Sequence, residues 1–392
     1  MINLTLPEPD TTAAARSAGV SELIVEAIRQ QQGAIGFDHF MELALYAPEL
    51  GYYDTAAPKI GAAGDFVTAP VISALFSCCL AEQCMQVIKA VPDAAILELG
   101  AGTGVMARDI LLALERQQQL PERYFILEVS AGLKRHQQQL LQQSIPQLMS
   151  RVHWLEQLPE QGFNGIVLGN EVLDAMPVKR ISFGSETIRE CCVAHQQDSF
   201  CWVERAAPEE LQQQADNIIR GLDEKLPAGY TSEINLRHRP WINSLARCLN
   251  QGIILFSDYG YGRSEYYHPQ RSDGTLLCHY QHRAHADPFY YPGLQDITAA
   301  VDFTAVADYA VQAGLTVAGY TTQAGFLLAC EPDRQINELA AHGQGTALQL
   351  AAQAKLLLLP GEMGEKFKVI GLGKNFDEAL TGFAFNSQLQ HL

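Results

Sequence analysis

Three glycines at alternate positions follow a short apolar segment that ends in an acid and a leucine. The segment is 94–99, with Glu98 near its end, and the glycines are Gly100, Gly102 and Gly104. A strand that stops at a glycine-rich turn and continues into a helix leaves free backbone N–H groups at the start of the helix. Because no side chains stand in the way, a polar ligand can approach that backbone closely. The sequence therefore predicts a nucleotide-like ligand at this turn.

The spacing of the glycines favours one class of nucleotide ligand over another. A dinucleotide fingerprint has the pattern G-x-G-x-x-G/A, in which the third small residue lets the helix pack closely on the strand. Counted from Gly100, that position is Val105. Glycines at alternate positions are instead the arrangement of S-adenosylmethionine (SAM) methyltransferases, where no pyrophosphate has to be accommodated. SAM is the predicted cofactor, and a NAD-dependent oxidoreductase is the less favoured alternative.

The next apolar segment also ends in an acid. Tyr124-Phe125-Ile126-Leu127-Glu128 ends 24 residues after Gly104, which leaves room for one helix and a return strand. A carboxylate at this position can accept hydrogen bonds from both hydroxyls of a ribose, and a solvated strand-end acid is the alternative. Glu156 follows a third strand and is predicted to approach the adenine, with a surface acid as the alternative. The predicted cofactor contacts are Glu98, Gly100, Ala101, Gly102, Gly104, Glu128, Glu156 and Asp65.

Further polar residues lie where two later strands end, at the edge of a parallel sheet where chemistry is expected. Asn170, Glu171 and Asp174 follow one buried segment, and Asp258 and Tyr259 follow another. If a helical turn comes after Asn170, Glu171 and Asp174 lie on one face of it. Two carboxylates placed in this way could bind a guanidinium group bidentately. Acids that complement a helix dipole are the alternative interpretation.

These residues need a sheet to position them, and the pattern from residue 94 onward alternates strands with helices. Such alternation predicts an α/β fold with a mostly parallel sheet. The strands are predicted at 94–99, 123–128, 151–155, 164–169 and 252–257. After residue 300 we expect helices at 303–314 and 332–359, and strands at 315–320 and 367–373. The glutamines 137–139 are interpreted as part of an exposed helix end.

Four regions, including that core, are predicted. Residues 1–90 form an N-terminal helical cap, with helices at 22–32 and 37–46 and a glycine- and proline-rich loop from Gly51 to Pro70. That loop is predicted to close over the cofactor as a lid through Asp65 and Phe66. Residues 91–177 and 246–375 form the SAM-binding core, and 178–245 form an insertion of antiparallel strands and a helix between its fourth and fifth strands. Residues 376–392 form a C-terminal tail.

Composition limits the partners and the location. The formal net charge of −17 over 392 residues argues against a nucleic-acid partner and suits a basic one, although solubility alone would also explain it. The nine cysteines have no C-x-x-C spacing, which indicates reduced, mostly buried thiols in a cytoplasmic protein. No apolar run is long enough to span a bilayer, and neither a secretory signal nor a transit peptide is expected. No metal is predicted at His279, His282 and His285, and a homodimer is left open.

Seven motifs together resemble one family, the MidA-like SAM-dependent methyltransferases, which are related to the mitochondrial complex I assembly factor that methylates an arginine. The likeness runs from about residue 35 to residue 373. The motifs are G-Y-Y at 51–53, G-D-F-V-T-A-P at 64–70, L-E-L-G-A-G-T-G at 97–104, G-N-E-V-L-D-A-M-P at 169–177, S-D-Y-G-Y at 257–261, Q-H-R-A-H-A-D-P at 281–288 and D-I-T-A-A-V-D-F at 296–303.

The resemblance implies a class I methyltransferase (Rossmann-like) fold, SAM as cosubstrate, and a protein arginine as the methyl acceptor. By kinship the acceptor protein would be a respiratory-complex subunit. We predict that Asn170, Glu171 and Asp174 lie nearest the transferring methyl group, and that Phe66, Asp258 and Tyr259 contact the substrate or form the lid. A non-catalytic or weakly catalytic assembly factor that retains a SAM pocket is the alternative.

Overall fold

The computed structural model describes residues 6–54, 67–184 and 187–392. The helices, in chain order, are α1 (Thr11–Gln30), α2 (Phe37–Tyr46), α3 (Ala69–Ile72), α4 (Ala74–Ala90), α5 (Val105–Arg116), α6 (Ala131–Ser144), α7 (Glu209–Arg220), α8 (His238–Cys248), α9 (Arg263–Tyr266), α10 (Phe303–Gln312), α11 (Gln323–Ala329), α12 (Pro332–Ala341) and α13 (Ala347–Leu358). The strands are β1 (Ile35–Gly36), β2 (Ala95–Leu99), β3 (Tyr124–Leu127), β4 (Val152–Leu155), β5 (Phe163–Asn170), β6 (Lys179–Phe183), β7 (Ile188–Gln196), β8 (Ser199–Ala206), β9 (Tyr230–Ile234), β10 (Leu249–Tyr261), β11 (Leu277–Tyr280), β12 (Arg283–His285), β13 (Asp296–Thr298), β14 (Val301–Asp302), β15 (Thr316–Thr322) and β16 (Phe367–Lys374).

The chain divides into two compact units, and each is assembled from separate segments. The core unit consists of Val67–Leu173, Arg239–Gly262 and Val301–Leu392, and the accessory unit of Met1–Phe66, Asp174–His238 and Arg263–Ala300. These bounds differ from the predicted ones in particular segments. Helix α4 lies in the core unit although it was predicted within the N-terminal cap. Residues 263–300, predicted as core, belong to the accessory unit, and the predicted tail belongs to the core unit.

The core unit contains the predicted sheet. In the described part of the chain its strand order is β15-β16-β10-β5-β2-β3-β4, with β14 paired to β10. Strands β10, β5, β2, β3 and β4 run parallel, and β16 is antiparallel to both β10 and β15. Every residue of β2 is buried, as expected for a parallel strand covered on both faces. The fold is therefore α/β with a mostly parallel sheet, as predicted.

Helices α4 and α5 contribute to the apolar core that this sheet also lines. Phe76 and Leu80 of α4 and Ile110 of α5 belong to one buried cluster with Ile96 of β2 and Ile166 of β5. Burying such side chains stabilises the unit by about 1.5–3 kcal/mol each relative to leaving them exposed. This packing fixes the strand ends from which the polar residues emerge.

The accessory unit is built on antiparallel strands. In the described residues one sheet has the order β1-β7-β6-β9, with β8 paired to β7, and another has the order β12-β11-β13. The antiparallel strands and the helix predicted within 178–245 are present as β6 to β9 and α7. The core of this unit joins Ile24 of α1, Phe37 and Phe40 of α2, and Val193 of β7.

Two helices differ from the sequence predictions. Helix α1 begins at Thr11, not at Glu22, because the Asp10 side chain accepts the N–H of Ala13 and caps it there. The predicted helix 332–359 is two helices, α12 and α13. In the segment between these helices, Gly343 and Gly345 have φ of 75° and 131°. Thr346 then caps the start of α13 with a capping box.

Candidate active site

The glycine turn after β2 consists of left-handed backbone. Gly100, Gly102 and Gly104 have φ of 60°, 53° and 83°, a region that other residues adopt only with strain. Gly104 is the N-cap of α5, and a Cβ added there would lie 3.3 Å from the Cα of Gln137. The N–H of Gly100 donates to the carbonyl of Leu127 at 2.9 Å. The turn thus lies against both the end of β3 and helix α6.

Glu128 follows β3 beside this turn, and its carboxylate is held on both sides. Oε1 accepts the N–H of Ser130 at 3.0 Å, and Oε2 accepts the amide of Gln137 at 2.9 Å. Burial raises the pKa of Glu128, and the hydrogen bonds from Ser130 and Gln137 oppose that rise. Since each carboxylate oxygen can accept two hydrogen bonds, both oxygens retain acceptor capacity for the hydroxyls of a ribose.

Gln137 connects the turn to Glu128, and it was not among the predicted site residues. Its amide nitrogen also donates to the carbonyl of Gly102 at 3.0 Å, and its amide oxygen accepts the indole N–H of Trp154 at 3.0 Å. The interpretation of Gln137 as exposed is wrong, because its side chain is fully buried. The available signal was its place seven residues after the N-cap Ser130, on the face of α6 that also buries Leu141.

The turn after β5 carries the predicted catalytic acid in an unusual conformation. Glu171 has φ of 52°, and its N–H donates to the carbonyl of Ser257 at 2.9 Å. The Asn170 amide donates to Glu171 Oε1 at 2.9 Å. Residues 171–177 form bends and a turn, so the shared helical face predicted for Glu171 and Asp174 is wrong. A residue within a right-handed α-helix has φ of about −63°, so Glu171 is not part of such a helix.

Asp258, from the second half of β10, anchors this turn. Its Oδ2 accepts the N–H groups of Val172 and Leu173 at 3.2 and 2.9 Å, and its Oδ1 accepts the N–H of Tyr259 at 2.9 Å. The carboxylate is almost fully buried. Asp258 was predicted as a substrate or lid residue, whereas its contacts in the core unit position the backbone next to Glu171.

Two buried polar atoms, one at the end of β5 and one within β10, have no hydrogen-bond partner among the described residues. They are Asn170 Oδ1 and Ser257 Oγ, which belong to register partners in the two strands. Both residues line a small pocket of the core unit together with Met106 and Gly169. Buried polar groups are almost always paired, so these two atoms indicate a place for a polar ligand.

Comparison with known proteins identifies the class. A family model described as "Putative S-adenosyl-L-methionine-dependent methyltransferase" matches residues 79–321, more than half of the chain. A crystal structure from Burkholderia thailandensis, bound to S-adenosyl-homocysteine, is 38% identical and covers 99% of this chain and 100% of its own, with a TM-score of 0.92. The chain belongs to the MidA-like SAM-dependent methyltransferases. The choice between SAM and a dinucleotide is therefore decided for SAM.

Two relatives of this methyltransferase carry more specific names. A Drosophila melanogaster protein, 27% identical over 375 residues, covers 87% of this chain and 82% of its own length, and is named "Protein arginine methyltransferase NDUFAF7 homolog, mitochondrial". The Homo sapiens "Protein arginine methyltransferase NDUFAF7, mitochondrial" is 25% identical over 377 residues, covering 87% of this chain and 80% of its own.

The residues of the core unit fit the cofactor of this family. The left-handed glycine turn exposes backbone, Glu128 offers a fixed carboxylate, and the unpaired Asn170 Oδ1 and Ser257 Oγ offer further polar contacts. Ala101 is buried within the turn. These contacts of the methyltransferase with SAM stay predictions at the level of single residues.

The other predicted cofactor residues have different surroundings. Glu98 is fully buried inside the sheet, where its Oε2 accepts the hydroxyl of Tyr124 at 2.6 Å, and burial raises its pKa to about 7. Glu156 is exposed and lies 3.9 Å from the Nζ of Lys134. Asp65 and Phe66, with the central part of the predicted lid, lie outside the described residues. Tyr259 is half-buried and packs edge-on against Phe367.

Three further findings concern metals, cysteines and membranes. Within residues 6–54, 67–184 and 187–392, no three His, Cys, Asp or Glu side chains group closely enough to hold a metal ion. Eight of the nine cysteines are buried, Cys201 is half-buried, and all nine are free thiols, so the predicted buried thiols are confirmed. None of the helices in the described segments combines the length and apolarity needed to cross a membrane.

Proposed function

We propose that this methyltransferase transfers the methyl group of SAM to an arginine side chain of a protein. The observation that carries the proposal is the left-handed Glu171, held by Asn170, Ser257 and the anchoring carboxylate of Asp258. Strained backbone at a polar strand end is typical of residues that act in a reaction. The names of relatives about 25–27% identical to this chain support arginine as the acceptor.

The chemistry needs little from the protein beyond alignment and proton uptake. SAM supplies a sulfonium whose methyl group is transferred by in-line displacement. The protein must align the acceptor nitrogen and exclude water. A guanidinium is protonated at neutral pH, so it needs a carboxylate to orient it and to take up the proton. We assign the carboxylate of Glu171 to that role, with Asn170 fixing its orientation. Asp174, the other predicted acid, belongs to the accessory unit, and its role in the chemistry stays a prediction.

The acceptor is proposed to be a basic surface of a partner protein. The net charge of −17 attracts an arginine-bearing partner, and the resemblance to the complex I assembly factor makes a respiratory-complex subunit the first candidate. We propose a cytoplasmic location, supported by nine free thiols. Fractionation of cells that express a tagged full chain would check the location.

The direct test is to incubate the protein with radiolabelled SAM and a lysate from cells that lack it. The labelled band is then digested, and the modified residue is identified by mass spectrometry. We expect label on arginine, and no label with Glu128→Gln at a SAM concentration that saturates only the wild type. Label on lysine, nucleic acid or a small molecule would contradict the proposal.

A non-catalytic assembly factor predicts a different outcome in cells. In that case Glu171→Gln would bind S-adenosylhomocysteine normally, and it would correct the defect of cells that lack the protein. If the protein acts as the proposed enzyme, Glu171→Gln should still bind S-adenosylhomocysteine but should not correct the cellular defect.

A further inference from the structure

The unpaired oxygen atoms of Asn170 and Ser257 belong to neighbouring strands of the core sheet. The two residues are register partners in the parallel strands β5 and β10, and such strands lie about 4.8 Å apart. Asn170 Oδ1 and Ser257 Oγ are both buried, and neither has a hydrogen-bond partner in the described part of the chain. Since register partners point to the same face of a sheet and both residues line one small pocket, a single small group can contact both oxygens.

The pocket that contains these oxygens borders the glycine turn. Met106, from the first turn of α5, lines it together with Gly169, and Leu99, the residue before the glycine turn, is the register partner of Gly169. Glu128, which is predicted to hold the ribose, follows β3 on the other side of β2. The strand order β5-β2-β3 places Asn170 two strand spacings, or about 10 Å, from the end of β3. An extended methionine chain of SAM can bridge this distance.

The hydrogen-bonding chemistry of the pocket selects a donor. The amide nitrogen of Asn170 donates to Glu171 Oε1 at 2.9 Å, so the remaining Oδ1 is an acceptor, and the hydroxyl of Ser257 can accept as well. A carboxylate in the pocket would receive no hydrogen from Asn170 and would lie near the charge of Glu171. An ammonium group can donate to both oxygens and is attracted by that charge. In the methionine part of SAM, the α-ammonium is the group that carries N–H donors.

We propose that Asn170 Oδ1 and Ser257 Oγ bind the α-ammonium group of SAM and of S-adenosylhomocysteine. The inference rests on SAM as the cofactor and not on arginine as the acceptor. It adds Ser257, a residue of β10, to the cofactor site. It also gives the amide of Asn170 two contacts, since its nitrogen holds Glu171 and its oxygen holds the cofactor. The same side chain therefore positions the cofactor relative to the carboxylate assigned to the chemistry.

The test measures ligand binding to the full chain in the absence of any methyl acceptor. Calorimetry compares S-adenosylhomocysteine with an analogue in which hydrogen replaces the α-amino group. The two ligands share the adenosine, the thioether and the carboxylate, so they differ only at the ammonium. We expect the wild type to bind S-adenosylhomocysteine about 10- to 100-fold more tightly than the analogue, the range for hydrogen bonds to a charged group.

Two variants locate this preference at the pocket. Ser257→Ala and Asn170→Ala should each weaken S-adenosylhomocysteine about 10-fold and leave the affinity for the analogue nearly unchanged, because the analogue does not make the contact. Ser244→Ala is the matched control. It removes a hydroxyl that donates to the carbonyl of Pro240 within α8, and it should bind both ligands as the wild type does. Thermal unfolding without ligand verifies that each variant is folded.

Equal binding of the two ligands by the wild type would overturn the inference, whatever the variants do. A Ser257→Ala variant that weakens both ligands by the same factor, or that keeps the full preference of the wild type, would also overturn it. In the first case the hydroxyl would act on the shape of the pocket, and in the second the ammonium would bind elsewhere.

The outcomes also distinguish this inference from the proposed function. If the two ligands bind equally while the lysate experiment labels arginine, the ammonium site is wrong and the proposed function stands. If the wild type and the variants bind as expected while the lysate experiment labels a residue other than arginine, the ammonium site stands and the proposed function fails.

Discussion

Two turns of the core unit, after β2 and after β5, both contain left-handed backbone, but they achieve it with different residues. In the first turn three glycines adopt φ of 53° to 83°, and no side chain of theirs can contact a ligand. In the second, Glu171 adopts φ of 52° although it has a large, charged side chain. Asp258 and Ser257 supply hydrogen bonds that offset the strain there.

The difference indicates what each turn contributes. Where glycine occupies the left-handed positions, the backbone itself can approach a ligand, and the flanking acid Glu128 is predicted to hold the ribose. We assign the left-handed Glu171 to the reaction through its side chain, since a glycine or asparagine would adopt the conformation with less strain. The first turn is therefore assigned to binding SAM, and the second turn to the chemistry.

The largest expected effect separates binding from chemistry. Glu171→Gln should lower the rate of methyl transfer by about 10²- to 10⁴-fold, the range for loss of a general base. The affinity for S-adenosylhomocysteine should stay unchanged, because the first turn is intact. Single-turnover rates and calorimetry measure the two quantities. A variant that transfers methyl groups at the wild-type rate would remove Glu171 from the chemistry.

The next effect concerns Glu98, the acid on the strand before the first turn. Its pKa is about 7 in the folded protein and 4.5 ordinarily. The folded state therefore holds the proton more tightly, and this contribution to stability is lost as the pH rises from 4.5 to 7. As the pH rises from 4.5 to 7, the wild type should lose about 3 kcal/mol of unfolding free energy relative to Glu98→Gln, because the glutamine side chain has no proton to release.

Urea denaturation across that pH range measures this difference. Glu122→Gln changes an exposed acid near the start of β3 and serves as the control, for which no such gain is expected. If the wild type and Glu98→Gln keep a constant difference in stability, Glu98 is not titrating in this window.

A smaller effect tests the acid beside the first turn. Glu128→Gln should weaken S-adenosylhomocysteine about 10- to 100-fold, because hydrogen bonds to a charged group contribute about 1.5–3 kcal/mol. Glu156→Gln should change the affinity little if Glu156 is a surface acid. Calorimetry on both variants shows which of the two acids, Glu128 or Glu156, contributes to binding the cofactor. A larger loss in Glu156→Gln would show that the exposed acid is the one that contacts the cofactor.

The anchor of the second turn should have a moderate effect on rate. Asp258→Asn is expected to lower kcat about 10-fold, equivalent to about 1.4 kcal/mol, while KM for SAM stays the same. An amide cannot accept the N–H groups of Val172, Leu173 and Tyr259 as a carboxylate does, so Glu171 is less well held. A change in KM alone would instead indicate that Asp258 contacts the cofactor.

The smallest effect tests the glycines of the first turn. Gly104→Ala and Gly314→Ala both place a Cβ on backbone with φ near 80°, which costs about 1–2 kcal/mol of stability. Nothing lies within 4 Å of a Cβ at Gly314, whereas one at Gly104 contacts Gln137. Only Gly104→Ala should therefore also weaken S-adenosylhomocysteine, by a few-fold. Equal affinities would show that Gln137 does not position Glu128.

Much of the fold was predictable because its signals are local. Apolar segments such as 164–169 and the glycine spacing at Gly100 to Gly104 predicted the parallel strands and the turn. Where prediction failed, a single side chain or backbone angle decided the outcome. Asp10 caps α1 earlier than Ser21 would, and glycines at 343 and 345 split the last long helix.

The sequence by itself determined the class of cofactor, because backbone freedom at Gly100 to Gly104 and an acid at Glu128 are properties of short segments. Only the tertiary structure showed that Gln137 is buried against the turn and that Asp258 anchors the chain next to Glu171. Each of these contacts joins residues from different elements, from 9 residues apart for Gln137 and Glu128 to 86 for Val172 and Asp258. Periodicity reports which face of an element is buried, but not which residue of another element it meets.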